Sequence, residues 1–129
     1  MILVDANFLV GIYVTNDQWH DQAVKISSDV YKQDKILSDL LISEITTLVA
    51  SKVGAKESKN IYYHILDNYE IYDVDRELYT KAMNTLVKYD GTLSLADSLS
   101  VEIMKKLGIY EIVSFDDDFD KVDGIVRIH

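Results

Sequence analysis

Apolar and polar positions along this chain fall into blocks that switch between strand-like runs and helix-like spacing. The first block, Met1-Ile2-Leu3-Val4, is continuously apolar and reaches a carboxylate at Asp5. Such a run reads as a strand buried on both faces, as in parallel sheets. Asn7 to Gly11 then suits a brief helical turn, and Asp17 to Asp34 carries helical spacing through Ala23, Ile26, Val30 and Tyr31. Lys35-Ile36-Leu37-Ser38 reads as a second strand. Helices are predicted over about 39–53, stopped by Gly54, and over 55–68, with Ile61, His64, Ile65 and Asn68 on one face. Residues 69–74, rich in aromatic and β-branched types, read as a third strand, followed by helices over 76–89 and 94–107 and strands over 109–115 and 124–128. Strands separated by helices mean βαβ units, so the expected class is α/β, with a mainly parallel five-stranded sheet flanked by helices. No repeat, low-complexity tract or linker interrupts the pattern, and residues 1–129 read as a single domain.

Composition narrows the function classes. The chain has no cysteine, which removes disulfides, thiolate metal sites and a cysteine nucleophile. No apolar segment approaches the length of a membrane span and the amino terminus lacks a secretory pattern, so the expected protein is soluble and cytoplasmic, with no membrane partner. The formal net charge of −9 argues against holding nucleic acid by broad phosphate neutralisation. It does not argue against a nuclease, because clustered carboxylates supply part of that charge and bound cations would reverse it locally.

Four carboxylates stand out by position. Asp5 ends the first strand, where open α/β sheets place their ligands, and it also suits a cap for the following helix. Asn7 beside it can hold the carboxylate or a water. Glu44 has Leu40, Leu41, Leu48 and Ser51 as its nearest angular neighbours on a helix, so it emerges at the edge of the apolar stripe. Asp97 occupies the middle of an apolar face bracketed by Leu93, Val101 and Met104, with Ser98, Glu102, Lys105 and Lys106 marking the polar side. Ser94-Leu95-Ala96-Asp97 also fits a capping box, and the two readings can coexist. Asp116 repeats the logic of Asp5 at the end of Glu111-Ile112-Val113-Ser114-Phe115. Asp118, two residues on, can serve as an auxiliary ligand or hold a metal-bound water, whereas Asp117 and Asp120 read as a solvated turn.

The expected fold lets Asp5, Glu44, Asp97 and Asp116 meet in one crevice. Four carboxylates without a paired cation raise one another's pKa, and a hard divalent cation removes that cost. Oxygen-only ligands suit Mg²⁺ or Mn²⁺. Such an ion can bind a phosphodiester oxygen, acidify water and stabilise a leaving oxygen, so phosphodiester hydrolysis is the natural reaction. The general base and the number of ions stay open.

These residues resemble the PIN-domain nucleases, and specifically the small VapC-type toxins of bacterial and archaeal toxin–antitoxin pairs. The resemblance spans the chain and rests on Leu3-Val4-Asp5-Ala6-Asn7-Phe8-Leu9, Ile42-Ser43-Glu44, Leu93-Ser94-Leu95-Ala96-Asp97-Ser98 and Val113-Ser114-Phe115-Asp116-Asp117-Asp118-Phe119. It implies a three-layer α/β/α sandwich with strand order 3-2-1-4-5, Mg²⁺- or Mn²⁺-dependent cleavage of RNA, a homodimer, and inhibition by a small antitoxin protein. It aligns Asp5, Glu44, Asp97 and Asp116 with the family's acidic quartet, and Ser114 with a hydroxyl that supports the last acid. Ala6 departs from the Thr or Ser of many members, which makes Asn7 more important.

Lys52, Lys56 and Lys59 are close in sequence and can contact an RNA backbone, although an ordinary solvated face is the better explanation of them. His20 and His64 have no metal-ligand spacing. The tyrosines, Tyr62, Tyr63, Tyr69 and Tyr72 among them, fit either core or an interface. One competing function is a phosphoacceptor domain, which would use Asp73 or Asp75 after the third strand and a lysine after the last, where only His129 follows Ile128. The other is a non-catalytic PIN-like module that binds RNA or protein.

Overall fold

The computed structural model describes residues 1–129. Five strands, β1 (Ile2–Val4), β2 (Lys35–Ser38), β3 (Glu70–Tyr72), β4 (Glu111–Val113) and β5 (Val126–Ile128), form one sheet in the order β3-β2-β1-β4-β5. Every pairing is parallel: Ile2 registers with Lys35 on one side and Glu111 on the other, Ile36 with Glu70, and Glu111 with Val126. The connections are helices α1 (Ala6–Tyr13), α2 (His20–Tyr31), α3 (Asp39–Lys52), α4 (Ala55–Asn68), α5 (Arg76–Lys88) and α6 (Leu95–Leu107), plus a short 3₁₀ turn over Asp117–Lys121.

Strand side chains alternate between faces, and the two resulting cores define the layers. Ile2, Val4, Leu37 and Val113 pack with Phe8 and Leu9 of α1, Ala23 and Val30 of α2, Leu41, Ile45 and Val49 of α3, and Ile65 of α4. Leu3, Ile36 and Ile112 point the other way, onto Leu78 and Ala82 of α5 and Leu99, Ile103 and Met104 of α6, with Phe119 closing that side. This is the α/β/α sandwich, with β1 at its centre. Ile2, Leu3 and Val4 have no exposed surface, and each such burial stabilises by about 1.5–3 kcal/mol. No helix is long and apolar enough to cross a membrane.

The element boundaries follow local chemistry. Residue 17 does not begin α2, because the Asp17 carboxylate accepts from the Trp19 N–H (3.0 Å) and holds a loop there until His20. Gly54 takes a φ of 140°, which L side chains rarely adopt, and separates α3 from α4. Gly108, at φ 67°, closes α6 in the left-handed conformation. The third, fourth and fifth strands are shorter than their apolar runs, since ladder pairing spans three residues in each. Ser98 and Glu102, expected on the polar side of α6, correct that expectation. Ser98 is fully buried, and Glu102 accepts a hydrogen bond from Thr85 of α5 (3.1 Å), because α6 is covered by α5 as well as by the sheet.

Candidate metal centre

The chain leaves β1 and β4 side by side, and β1 is where the strand order reverses, with β2 built to one side and β4 to the other. Crevices at such carboxyl edges are where open parallel sheets bind ligands. The Asp5 N–H extends the ladder by donating to the Val113 carbonyl (3.1 Å). That places Asp5 opposite Ser114, and the Ser114 hydroxyl donates to Asp5 Oδ2 at 2.6 Å while the Ala6 N–H donates to Oδ1 at 2.8 Å. Ser114 Oγ also accepts from the Asp116 N–H (3.1 Å) and from Asn7 Nδ2 (3.2 Å), and Asn7 Oδ1 accepts from the Phe115 N–H (3.1 Å).

These contacts revise two details. Asn7 does not touch Asp5; it ties the β4 exit to α1. Ser114, aligned by family resemblance with a hydroxyl supporting the last acid, gives its proton to the first, and meets Asp116 only through the backbone.

The other acids arrive from both helical layers. Asp97 stands in the first turn of α6, where the capping box forms in full: Asp97 N–H donates to Ser94 Oγ, and Ser94 N–H to Asp97 Oδ2, both at 3.1 Å. Its carboxylate is half-buried and directed at the other acids. Asp116 caps the 3₁₀ turn by accepting from the Asp118 N–H (2.9 Å). Glu44 projects from α3, more exposed and without a hydrogen-bond partner. Three aspartates are thus oriented by backbone amides, and the glutamate is not.

Proton affinities report the crowding. Burial pushes Asp5 up to about 7 against the pull of the Ser114 hydrogen bond, and the charges of Asp97 and Glu44 add to the rise. Asp97 is raised by burial, offset in part by its cap, with Asp116 and Asp118 pushing further. Glu44 is raised by burial and then by Asp97. Electrostatically the four acids form one group. None of them has a salt bridge; the ion pairs of the chain involve Asp29, Glu77, Glu102, Asp118 and Asp120 instead.

The PIN-domain family profile matches residues 2–125 of this sequence. The chain belongs to the PIN-domain family. Solved PIN-like structures share its whole architecture. VapC20 of Mycobacterium tuberculosis, a sarcin–ricin loop-cleaving toxin, superposes with a TM-score of 0.82 at 23% identity over 93% of each chain. A toxin–antitoxin complex from Klebsiella pneumoniae gives 0.72 at 15% identity, covering 98% of this chain and 96% of that one. VapBC2 from Rickettsia felis, bound to a DNA fragment from its promoter, gives 0.73 at 14% identity, covering 99% and 98%. No curated protein sequence matches.

The donor set of this PIN domain fits a hard divalent cation: it is all oxygen, lacks a counter-ion, and carries carboxylates whose raised proton affinity an ion would offset. Carboxylate oxygens of Asp116, Asp117 and Asp118 also lie within 4.8 Å of one another. Asp118 is nevertheless bound by Lys121 Nζ at 2.7 Å, and Asp120 by Arg127 through two contacts of 2.9 and 3.0 Å. Asp120 is therefore a structural ion pair, where a solvated turn was expected. Of the three lysines, Lys52 lines a cavity with Glu44 and Asn7, whereas Lys56 and Lys59 stand exposed on α4 away from it. His20 Nδ1 lies 2.8 Å from the Gly11 carbonyl, His64 packs edge-on against Tyr13, and Asp75 caps α5, which gives each a structural role.

Proposed function

We propose that this PIN domain is a Mg²⁺- or Mn²⁺-dependent endoribonuclease, the toxin of a toxin–antitoxin pair, acting in the cytoplasm. The observation that carries the reading is the cluster of Asp5, Glu44, Asp97 and Asp116, in which burial and mutual repulsion raise the carboxyls of Asp5, Glu44 and Asp97 and none of the four forms an ion pair with lysine or arginine. Asp5 is the fixed point, since two donors hold its oxygens. Asp97 spends Oδ2 on the cap and keeps Oδ1 for a ligand. Glu44, which has no hydrogen-bond partner, would supply a further carboxylate to that ion. A divalent ion bound there would offset phosphodiester charge and lower the pKa of a water. Lys52 lines the same cavity as Glu44, where it would meet a backbone phosphate of the RNA, whereas Lys56 and Lys59, exposed on α4 away from that cavity, would meet only more distant backbone.

The toxin assignment is supported by the solved relatives, one a sarcin–ricin loop-cleaving toxin and another a toxin–antitoxin complex. It makes a small antitoxin and a second copy of the chain the expected protein partners. The test is cleavage of single-stranded and structured RNAs by purified, antitoxin-free protein in Mn²⁺ or Mg²⁺, beside Asp97→Asn. Asparagine keeps an oxygen for the Ser94 N–H, so the helix end survives. Metal-dependent cleavage lost in the variant is the expected result; equal cleavage by both proteins, or none by either across many RNAs, overturns the reading.

A further inference from the structure

Trp19 is the chain's only tryptophan. It lies in the loop before α2, and its ring is stacked on Phe115 with centroids 4.9 Å apart and planes 13° from parallel. Phe115 rests in turn on Phe8 (6.4 Å) and sits between Ser114 and Asp116 in the chain. The indole is thus carried by the same segment that presents the last acid of the site.

The Trp19 loop is held firmly. Its N–H is bound by Asp17, the neighbouring His20 ring contacts the Gly11 carbonyl, and Gly11 has no Cβ, which would approach Ala23 Cβ to 3.2 Å and Trp19 Cβ to 3.5 Å. Despite this anchoring, 38% of Trp19 remains exposed. Trp19 lines a cavity of about 170 Å³ together with Asn7, Val10, Asp17, Glu44, Leu48 and Lys52, the Asp17 carboxylate among them being engaged by the Trp19 backbone N–H. A rigid aromatic, an apolar wall and one ammonium, adjoining a carboxylate of the metal centre, match the needs of a nucleotide: a flat base to stack and a phosphate to neutralise.

We propose that Trp19 is a stacking platform for one unpaired base of the RNA, next to the scissile phosphate, with Lys52 holding the phosphate beyond it. The proposal rests on the ribonuclease reading and assigns the residue that would hold the base. A base inside a duplex is already stacked on both faces and cannot reach the ring, so the protein prefers single-stranded or looped RNA.

The single tryptophan supplies its own reporter. A short unstructured oligoribonucleotide, and a fully paired blunt-ended duplex of the same length, are titrated into Asp97→Asn protein with Mn²⁺ while tryptophan emission is followed. The unstructured strand is expected to quench emission saturably and the duplex far less. Trp19→Ala is expected to weaken binding and raise KM about ten-fold, the size of one base–aromatic stack, with Trp19→Phe within about three-fold of wild type. Binding of the unstructured strand without an emission change, equal quenching by the duplex, or single-strand cleavage by Trp19→Ala as efficient as wild type overturns the proposal. So does emission that responds only to a co-expressed antitoxin, which would make the ring a protein contact. Quenching without cleavage by any wild-type preparation supports the platform and sinks the enzyme, whereas cleavage indifferent to Trp19 sinks the platform alone.

Discussion

Asp5 and Asp120 both follow the carboxyl ends of neighbouring strands, and the fold treats them in opposite ways. Asp120 faces the Arg127 guanidinium through two parallel hydrogen bonds, which hold its carboxyl below the usual range. Asp5 is buried beside other acids and meets only neutral donors, so its carboxyl is pushed up to about 7. The pH signs are therefore opposed. Asp120 contributes stability above its unfolded pKa and loses it as pH falls. Asp5, with its folded pKa raised, contributes most when protonated, below about pH 4, and loses that contribution as pH rises through about 7. One acid serves the fold; the other strains it in the absence of a cation.

The largest test of that contrast is Asp5→Asn. Cleavage is expected to fall roughly 10²–10³-fold, as on loss of one charge-stabilising group, while the metal-free protein becomes more stable. The stability difference between variant and wild type should be small at pH 4 and grow with pH. Converted at about 1.4 kcal/mol per tenfold change in proton affinity, it approaches roughly 4 kcal/mol by pH 8. Urea melts of metal-free protein across that range measure it, and a gap that shrinks with pH would show Asp5 to be paired after all. Adding Mn²⁺ at pH 8 should close most of the gap by stabilising wild type alone.

Ser114→Ala comes next. It removes the donor to Asp5 and the acceptor for Asn7 and Asp116. A loss of about 1–3 kcal/mol is expected in the same melts. Because the hydroxyl lowers the Asp5 pKa, its removal should move the acid limb of the cleavage profile to higher pH, with activity at pH 7 down about tenfold. The smallest effect belongs to Asp120→Asn. Cleavage should stay within about twofold of wild type, with a slight loss of melting temperature at pH 8 that disappears in acid. A large loss of cleavage there would mean that the two acidic regions are not separate.

Much of the scaffold is legible in the sequence because burial on both faces writes itself as unbroken apolar runs. Lys35–Ser38 and Ala55–Asn68 are read to the residue. The α/β class follows from the alternation of such runs with helical spacing. The positions of Asp5 and Asp116 follow from strand ends, and that of Asp97 from a charge placed among leucines, valines and methionines. The rest depends on contacts that periodicity does not encode. A helix wheel cannot say that α5 covers the far side of α6, so Ser98 and Glu102 look solvated. Nothing in the periodicity links Asp120 to Arg127, seven residues on in β5. Trp19 belongs to no repeating element, and its stack on Phe115 joins residues from opposite ends of the chain.

The hydrogen bond from Ser114 to Asp5 joins residues separated by 109 positions. Chains are synthesised from the amino terminus, and the first strand, the central one, emerges long before β4 can lie beside it. Throughout that interval Asp5 lacks its hydroxyl, Asp97 lacks Asp116, and Trp19 has no Phe115 to rest on. A ribosome making this protein therefore carries a nascent chain whose carboxylate cluster stays unassembled until nearly all of the fold has left the exit tunnel.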